Sequence, residues 1–317
     1  MINKSQFSKI GIGTWGIGGF ATRDKDNDDQ GQINTLAEAI TKGLNYIEVS
    51  MWSAEGYSAY LLSKAIKKSG IKREGLFITF VGYPYNVDSL DSLEVLLNNF
   101  LKFISSDFID SFQSSSSTYS KFGRKQTDEF VNKLLAKGKT RYTSFTNGNL
   151  ENIVSYHKLF GDKLIAHEVC FNFEIRINEE LGIIDYARKN NLVTAVYQPL
   201  RRNRTALQRW SLLIELAKKY GVTQNQLLLN WIASKNFLPL VKTSNIEHLE
   251  ENLKSLDFKM IPPDIEKLNN FRAPYWVSPE IDWSRSGDGK IERDGLYIDQ
   301  LPNIFDDEYA KQSKNKQ

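Results

Sequence analysis

The chain has 317 residues, with 41 Lys and Arg against 38 Asp and Glu and 41% hydrophobic residues. That is ample material for a folded core and too little excess charge for a nucleic-acid binder. One cysteine, Cys170, excludes an internal disulfide and a cysteine-rich metal site and fits a reducing cytosol. No run approaches the ~18 apolar residues of a membrane span, and the N-terminus lacks a signal-peptide core, so a cytoplasmic protein without a membrane partner is expected.

Short apolar or β-branched runs predict strands over residues 10–15, 46–50, 77–82, 108–113, 141–146, 168–172, 193–197 and 238–242. Several are apolar nearly throughout, the pattern of parallel strands buried on both faces. Amphipathic segments between them predict helices over 34–42, 58–69 and 128–137, followed by Gly43, Gly70 and Gly138 as C-terminal stops. Thr223 is the expected N-cap of a helix over 224–233, and Ser244 of one over 246–256. Eight such βα units in about 250 residues predict a closed (β/α)8 barrel over residues 1–272, with an open doubly wound sheet as the rival. Residues 273–317 lack periodicity and predict a C-terminal loop and tail, partly disordered.

Gly11-Ile12-Gly13-Thr14-Trp15-Gly16 satisfies GxGxxG, but Gly18, Gly19 and a polar stretch follow where a dinucleotide fingerprint needs a helix to open. A tight strand-to-loop exit is the expectation there. The other end of the chain carries a stronger anion signal. Leu238-Pro239-Leu240-Val241-Lys242-Thr243-Ser244 runs directly into a helix beginning near Ile246, and a helix N-terminus after the last strand is a ready phosphate site. Arg201-Arg202-Asn203-Arg204 follows the seventh strand, either as a phosphate clamp or as a solvated loop.

Tyr46-Ile47-Glu48-Val49-Ser50-Met51-Trp52-Ser53-Ala54, continued by Leu61, Leu62, Lys64 and Ala65, resembles the aldo-keto reductase signature "IDTAxxYG". Gly138-Lys139-Thr140-Arg141 through Asn147 is similar to that family's "GKIRxxGVSN", Tyr197-Gln198-Pro199-Leu200 to its "YSPL", and Gly13-Thr14-Trp15 to its "GTW" opening. The resemblance covers about residues 6–272. It implies a (β/α)8 barrel and an NADP(H) site formed by Thr14, Trp15, Thr146, Asn147, Glu168, Tyr197, Pro199, Leu200, Lys242, Thr243, Ser244, His248, Glu251 and Asn252. It also implies a catalytic tetrad of aspartate, tyrosine, lysine and histidine. The four matching places here hold Glu48, Ser53, Val81 and Ser115.

In the family the tyrosine acts as general acid and the lysine lowers its pKa, an effect worth roughly 10²–10⁴-fold. The expectation is therefore a nucleotide-binding barrel without efficient carbonyl reduction, a pseudoenzyme or one of altered chemistry. Two alternatives stand beside it. One is an active NADPH-dependent oxidoreductase whose proton comes from Glu48, Ser53 or water. The other is a lyase or isomerase using Glu48 and Glu168 as acid and base. Ser50, Ser53 and Ser114 to Ser117 predict a hydroxyl-rich cavity suited to a polyol or sugar. His157, His167 and His248 are expected at surface or packing positions, and no His/Asp/Glu cluster has metal-ligand spacing.

Overall fold

The computed structural model describes residues 4–273. The chain runs β1 (Gly11–Gly13), α1 (Asp29–Thr41), β2 (Tyr46–Val49), α2 (Tyr57–Ser69), β3 (Phe77–Val81), α3 (Leu90–Phe103) and β4 (Ile109–Ser115). It continues through α4 (Ser116–Phe122), α5 (Arg124–Ala136), β5 (Thr140–Thr146), α6 (Leu150–Phe160), β6 (Leu164–Cys170), α7 (Ile177–Glu180) and α8 (Ile183–Lys189). The last part is β7 (Val193–Tyr197), α9 (Arg204–Leu207), α10 (Ser211–Tyr220), α11 (Gln224–Ser234), β8 (Phe237–Val241), α12 (Ile246–Lys254) and α13 (Pro262–Asn270). The eight strands form one closed barrel in sequence order, and β1 closes it by pairing in parallel with β8.

The apolar strands have the double burial expected of them. All five residues of β3 and of β8 are buried. Outward-facing Ile47, Val49, Ile78 and Phe80 pack under the first helices, while Val169, Phe171, Val196 and Trp231 form a second cluster under the later ones. Inside the barrel Tyr46, Phe77, Ala166, Ala195, Leu238 and Leu240 form the floor, closed from below by Phe7 at 5.3 Å from Tyr46 and 4.7 Å from Phe77. Chemistry is thereby confined to the opposite, C-terminal end.

Several boundaries differ from expectation. The first helix begins at Asp29, because Asp28 caps it by accepting from the Gly31 amide. β4 extends to Ser115 through the polar Ser114 and Ser115, which pair with β5. β6 starts at Leu164 and ends at Cys170, where Asn172 turns the chain by accepting from the Glu174 and Ile175 amides, so Glu168 lies within the strand. Thr223 caps α11 with a full capping box as expected. The cap of α12 is Asn245, accepting from the His248 amide at 3.0 Å, and not Ser244. The loop and tail expected from residue 273 onward lie, apart from Ala273, outside the described residues.

Candidate functional site

A cavity of about 720 Å³ opens at the C-terminal mouth of the barrel. From the β1 to β3 side it is lined by Trp15, Phe20, Glu48, Ser53, Tyr83 and Tyr85. Ser116, Ser117, Asn147 and Glu168 complete the middle, and Tyr197, Pro199, Leu200, Arg202, Lys242, His248, Glu251 and Asn252 form the far wall. Most residues singled out in the sequence therefore meet in one place. Thr14, Val81, Ser115, Thr146, Thr243 and Ser244 stand outside that lining.

The four substituted positions behave differently from one another. Val81 ends β3 and is buried with only 1% of its surface exposed. Ser115 ends β4 and spends its hydroxyl on the fold, accepting from the Thr118 amide at 3.0 Å as the N-cap of α4. It also shares hydrogen bonds with the Ser117 and Thr118 hydroxyls. Ser53 opens a tight 3-10 turn in which Ala54 and Glu55 adopt positive φ of 49° and 57°. Glu48 projects from β2 into the cavity, opposite Gly13 of β1 in register, where no side chain obstructs it.

Across the barrel Glu168 accepts from Gln113 Nε2 at 3.0 Å and from the Thr146 hydroxyl at 3.4 Å. The network continues inward, Ser144 donating to Gln113 Oε1 and Ser111 to Ser144. Burial pushes the Glu168 carboxyl up to about 7 in spite of these donors. Burial also raises Glu48 well above the usual carboxylate range, and the facing charge of Glu168 raises it further. Two carboxyls that oppose each other in a low-dielectric cavity cannot both ionise cheaply, so near neutrality the pair holds a proton.

The far wall is basic. Lys242 is open to solvent on one side and walled by protein on the others; that burial, and then the Arg202 charge, lowers its pKa. Its ammonium donates to the Ser244 hydroxyl at 3.0 Å, and no carboxylate pairs with it among the described residues. Arg202 is exposed and lies 4.4 Å over the Phe20 ring. The three arginines do not act together. Arg201 is buried in an ion pair with Glu174, which also accepts from Thr205 at 2.9 Å and Trp210 Nε1 at 3.0 Å; Arg204 is buried as well. Asn147, at φ 56°, accepts from the Tyr197 hydroxyl at 2.8 Å, and Asn252 donates to the buried Thr243 hydroxyl at 3.1 Å. Glu251 accepts from Thr223 at 2.6 Å, which ties α12 to α11.

The hydroxyl-rich cavity contracts on inspection. Ser50 and Ser114 are buried outside the lining, the former accepting from the Trp52 amide and the latter from the Tyr156 hydroxyl. Ser53, Ser116 and Ser117 line the cavity, but Ser116 donates to the Asn147 carbonyl at 2.6 Å. His157 bonds Tyr186 at 2.9 Å, and His167 is fully buried on β6, where burial drives its pKa down to about 3. Sequence reasoning missed Phe20, Tyr83, Tyr85 and Gln113. Tyr83 and Tyr85 follow β3 within Gly82-Tyr83-Pro84-Tyr85, and aromatic residues just past a barrel strand were an available signal.

A closed parallel barrel with its cavity at the C-terminal mouth and a basic wall after the last two strands defines the class as a (β/α)8 barrel. The Aldo/keto reductase family model matches residues 9–273, and the chain belongs to that family. It is 22% identical over 271 residues to methylglyoxal reductase YeaE of Escherichia coli (strain K12), covering 84% of this chain and 91% of that protein. To the glycerol 2-dehydrogenase (NADP(+)) of Saccharomyces cerevisiae it is 24% identical over 294 residues, covering 84% and 88%. The thermostable aldo-keto reductase Tm1743, solved with the inhibitor epalrestat, superimposes with a TM-score of 0.72 at 28% identity, covering 83% of this chain and 94% of that one. The aldo/keto reductase of Klebsiella pneumoniae, solved with NADP and acetate, gives 0.70 at 22% identity over 83% and 90%.

Proposed function

We propose that this chain binds NADP(H) at the basic wall of its cavity and does not reduce carbonyls efficiently, acting in the cytoplasm as a cofactor-dependent regulatory or structural protein. The residues present suit the nucleotide. Lys242 is a cation without a carboxylate partner among the described residues, with Arg202 beside it and the N-terminus of α12 following, an arrangement that attracts phosphate. The Klebsiella pneumoniae relative with NADP in its structure supports the same reading. When bound, the nucleotide supplies a hydride donor. The chain's own residues would then have to hold and deliver a proton, and this is where the site is poor.

One observation carries the proposal. At the acidic end no amine or imidazole among the described residues pairs with Glu48, because Val81 is a buried hydrocarbon and the Ser115 hydroxyl is committed to capping α4. Without a neighbouring cation the tyrosine–lysine type of proton donor is missing, and a proton for a carbonyl oxygen would have to come from the buried Glu48 and Glu168 pair. Calorimetric titration with NADPH and NADH, followed by an aldehyde panel, tests it. The expected result is NADPH binding with turnover far below the common 1–10 per second. Ordinary turnover would reject the proposal in favour of an oxidoreductase drawing its proton from Glu48, Ser53 or water. Absence of binding at millimolar nucleotide would reject the cofactor site.

The carboxyl pair favours a second reading, a lyase or isomerase in which the ionised member of Glu48 and Glu168 takes a proton from carbon and the protonated member returns one. Solvent deuterium incorporation into α-hydroxyaldehydes, without nucleotide, checks this. Incorporation that is present in the wild type and lost in Glu168→Gln supports it, and none in the wild type removes it.

A further inference from the structure

We propose that the acidic end of the cavity is a binding site for a small organic cation, a protonated or quaternary amine. The inference concerns the same cavity as the proposed function but needs no nucleotide to be bound. Two independent features point to it. The first is Glu48 with Glu168, which face the cavity from β2 and β6, on opposite sides of an eight-stranded barrel. Glu168 is held in place by Gln113 and Thr146, whereas Glu48 has no hydrogen-bond partner among the described residues. A neutral ligand would leave the pair sharing its proton, whereas a cation between the two would favour ionisation of both carboxyls.

The second feature is an aromatic wall lining the same cavity as Glu48. Trp15 stacks on Trp52 at 4.5 Å and 17°, Trp52 meets Tyr85 at 4.7 Å, and Tyr83 lies 5.6 Å from Tyr85. These rings come from the loops after β1, β2 and β3, three neighbouring strands, and Trp15, Tyr83 and Tyr85 line the cavity. Electron-rich ring faces beside carboxylates are the combination that recognises ammonium groups. Phe20, 6.0 Å from Trp15 and covered by the Arg202 guanidinium at 4.4 Å, is where these rings meet the basic wall. The cavity thus carries both characters, cations on the β7 and β8 loops and, facing them, carboxyls on β2 and β6 with ring faces from the β1 to β3 loops. The serine hydroxyls that would have served a polyol are largely engaged elsewhere, which weighs against a neutral sugar-like occupant.

The test is a pair of isosteric probes, choline and 3,3-dimethylbutan-1-ol, with sorbitol as the polyol. Each is titrated by calorimetry at pH 8 into the nucleotide-free protein, where Glu168, with its pKa of about 7, is ionised. Choline is expected to bind at least about tenfold more tightly than its neutral isostere. The double variant Glu48→Gln/Glu168→Gln should lose about tenfold in choline affinity while its affinity for the alcohol is unchanged. Tyr85→Leu should weaken choline several-fold. Circular dichroism on each variant establishes that it is folded, and the amide replacements are isosteric with the carboxylates. Equal affinity for choline and the alcohol, tighter binding of sorbitol, or unchanged choline affinity in the double variant would overturn the proposal. A separate NADPH titration distinguishes the two ideas: choline binding without NADPH binding upholds the cation site and rejects the proposed function, and the reverse result does the opposite.

Discussion

Glu168→Gln should make the protein more stable at pH 8 and leave it nearly unchanged at pH 4. The carboxyl is 1% exposed, and burial raises its pKa from 4.5 to about 7 in the folded chain. A raised carboxyl pKa means that the folded state holds its proton more tightly than the unfolded state. The stability this gives is complete below pH 4.5 and is lost as the pH climbs through 7. At about 1.4 kcal/mol per decade, the displacement sets a ceiling of about 3 kcal/mol on the loss. The amide keeps a hydrogen-bonding group facing Gln113 and Thr146 and cannot ionise, so the loss should disappear. For a chain of this size each kcal/mol is about 2–4 °C in melting temperature. Thermal denaturation by circular dichroism should therefore show a gain of several degrees at pH 8 and about 1 °C or less at pH 4. A variant equally displaced at both pH values, or less stable at pH 8, would refute the reasoning, because the carboxyl would then be ionised at little cost.

Lys242→Ala should weaken NADPH about tenfold or more and bring it close to NADH, since a charge-assisted contact is worth roughly 1.5–3 kcal/mol; calorimetry with both nucleotides reads this. Glu174→Ala should cost about 3–5 kcal/mol by stranding the buried Arg201 guanidinium, a loss that chemical denaturation would reveal. Ser115→Ala should cost about 1 kcal/mol through loss of the α4 cap, read in the same way. Restoring Glu48→Asp, Ser53→Tyr, Val81→Lys and Ser115→His together should raise aldehyde reduction far more than any one change. Val81→Lys alone should lower the melting temperature, because its ammonium would be buried without a well-placed carboxylate.

The barrel was legible because burial on both faces writes parallel strands as apolar runs, and the stops of α1, α2 and α5 carried glycines. β7 coincides with its expected range, Val193–Tyr197. β6 does not, because His167 and Glu168 interrupt the apolar run and hide a strand that begins at Leu164. Of the candidate site, residues carried by the recognised motifs were found, and Phe20, Tyr83, Tyr85 and Gln113, which lie outside those motifs, were not. Tyr83 and Tyr85 reach the cavity because the chain leaves β3 at Val81 and turns inward, a direction no residue type announces. Arg201 shows the opposite failure. As sequence it is one of three similar arginines, and only its long-range pairing with Glu174 separates it from exposed Arg202. Likewise Ser115 looks like an empty catalytic position until its hydroxyl is found to accept from the Thr118 amide.

That cap makes position 115 easier to leave than to re-enter. The Ser115 hydroxyl joins Ser117, Thr118 and, through the Thr118 hydroxyl, the Gly82 carbonyl at 2.8 Å, binding the ends of β3 and β4 to the first turn of α4. An imidazole placed there, as the family pattern would have it, uncaps the helix before it meets any substrate. Histidine at position 115 therefore carries a stability cost of about 1 kcal/mol from the lost cap, which a second anchor for α4 would offset.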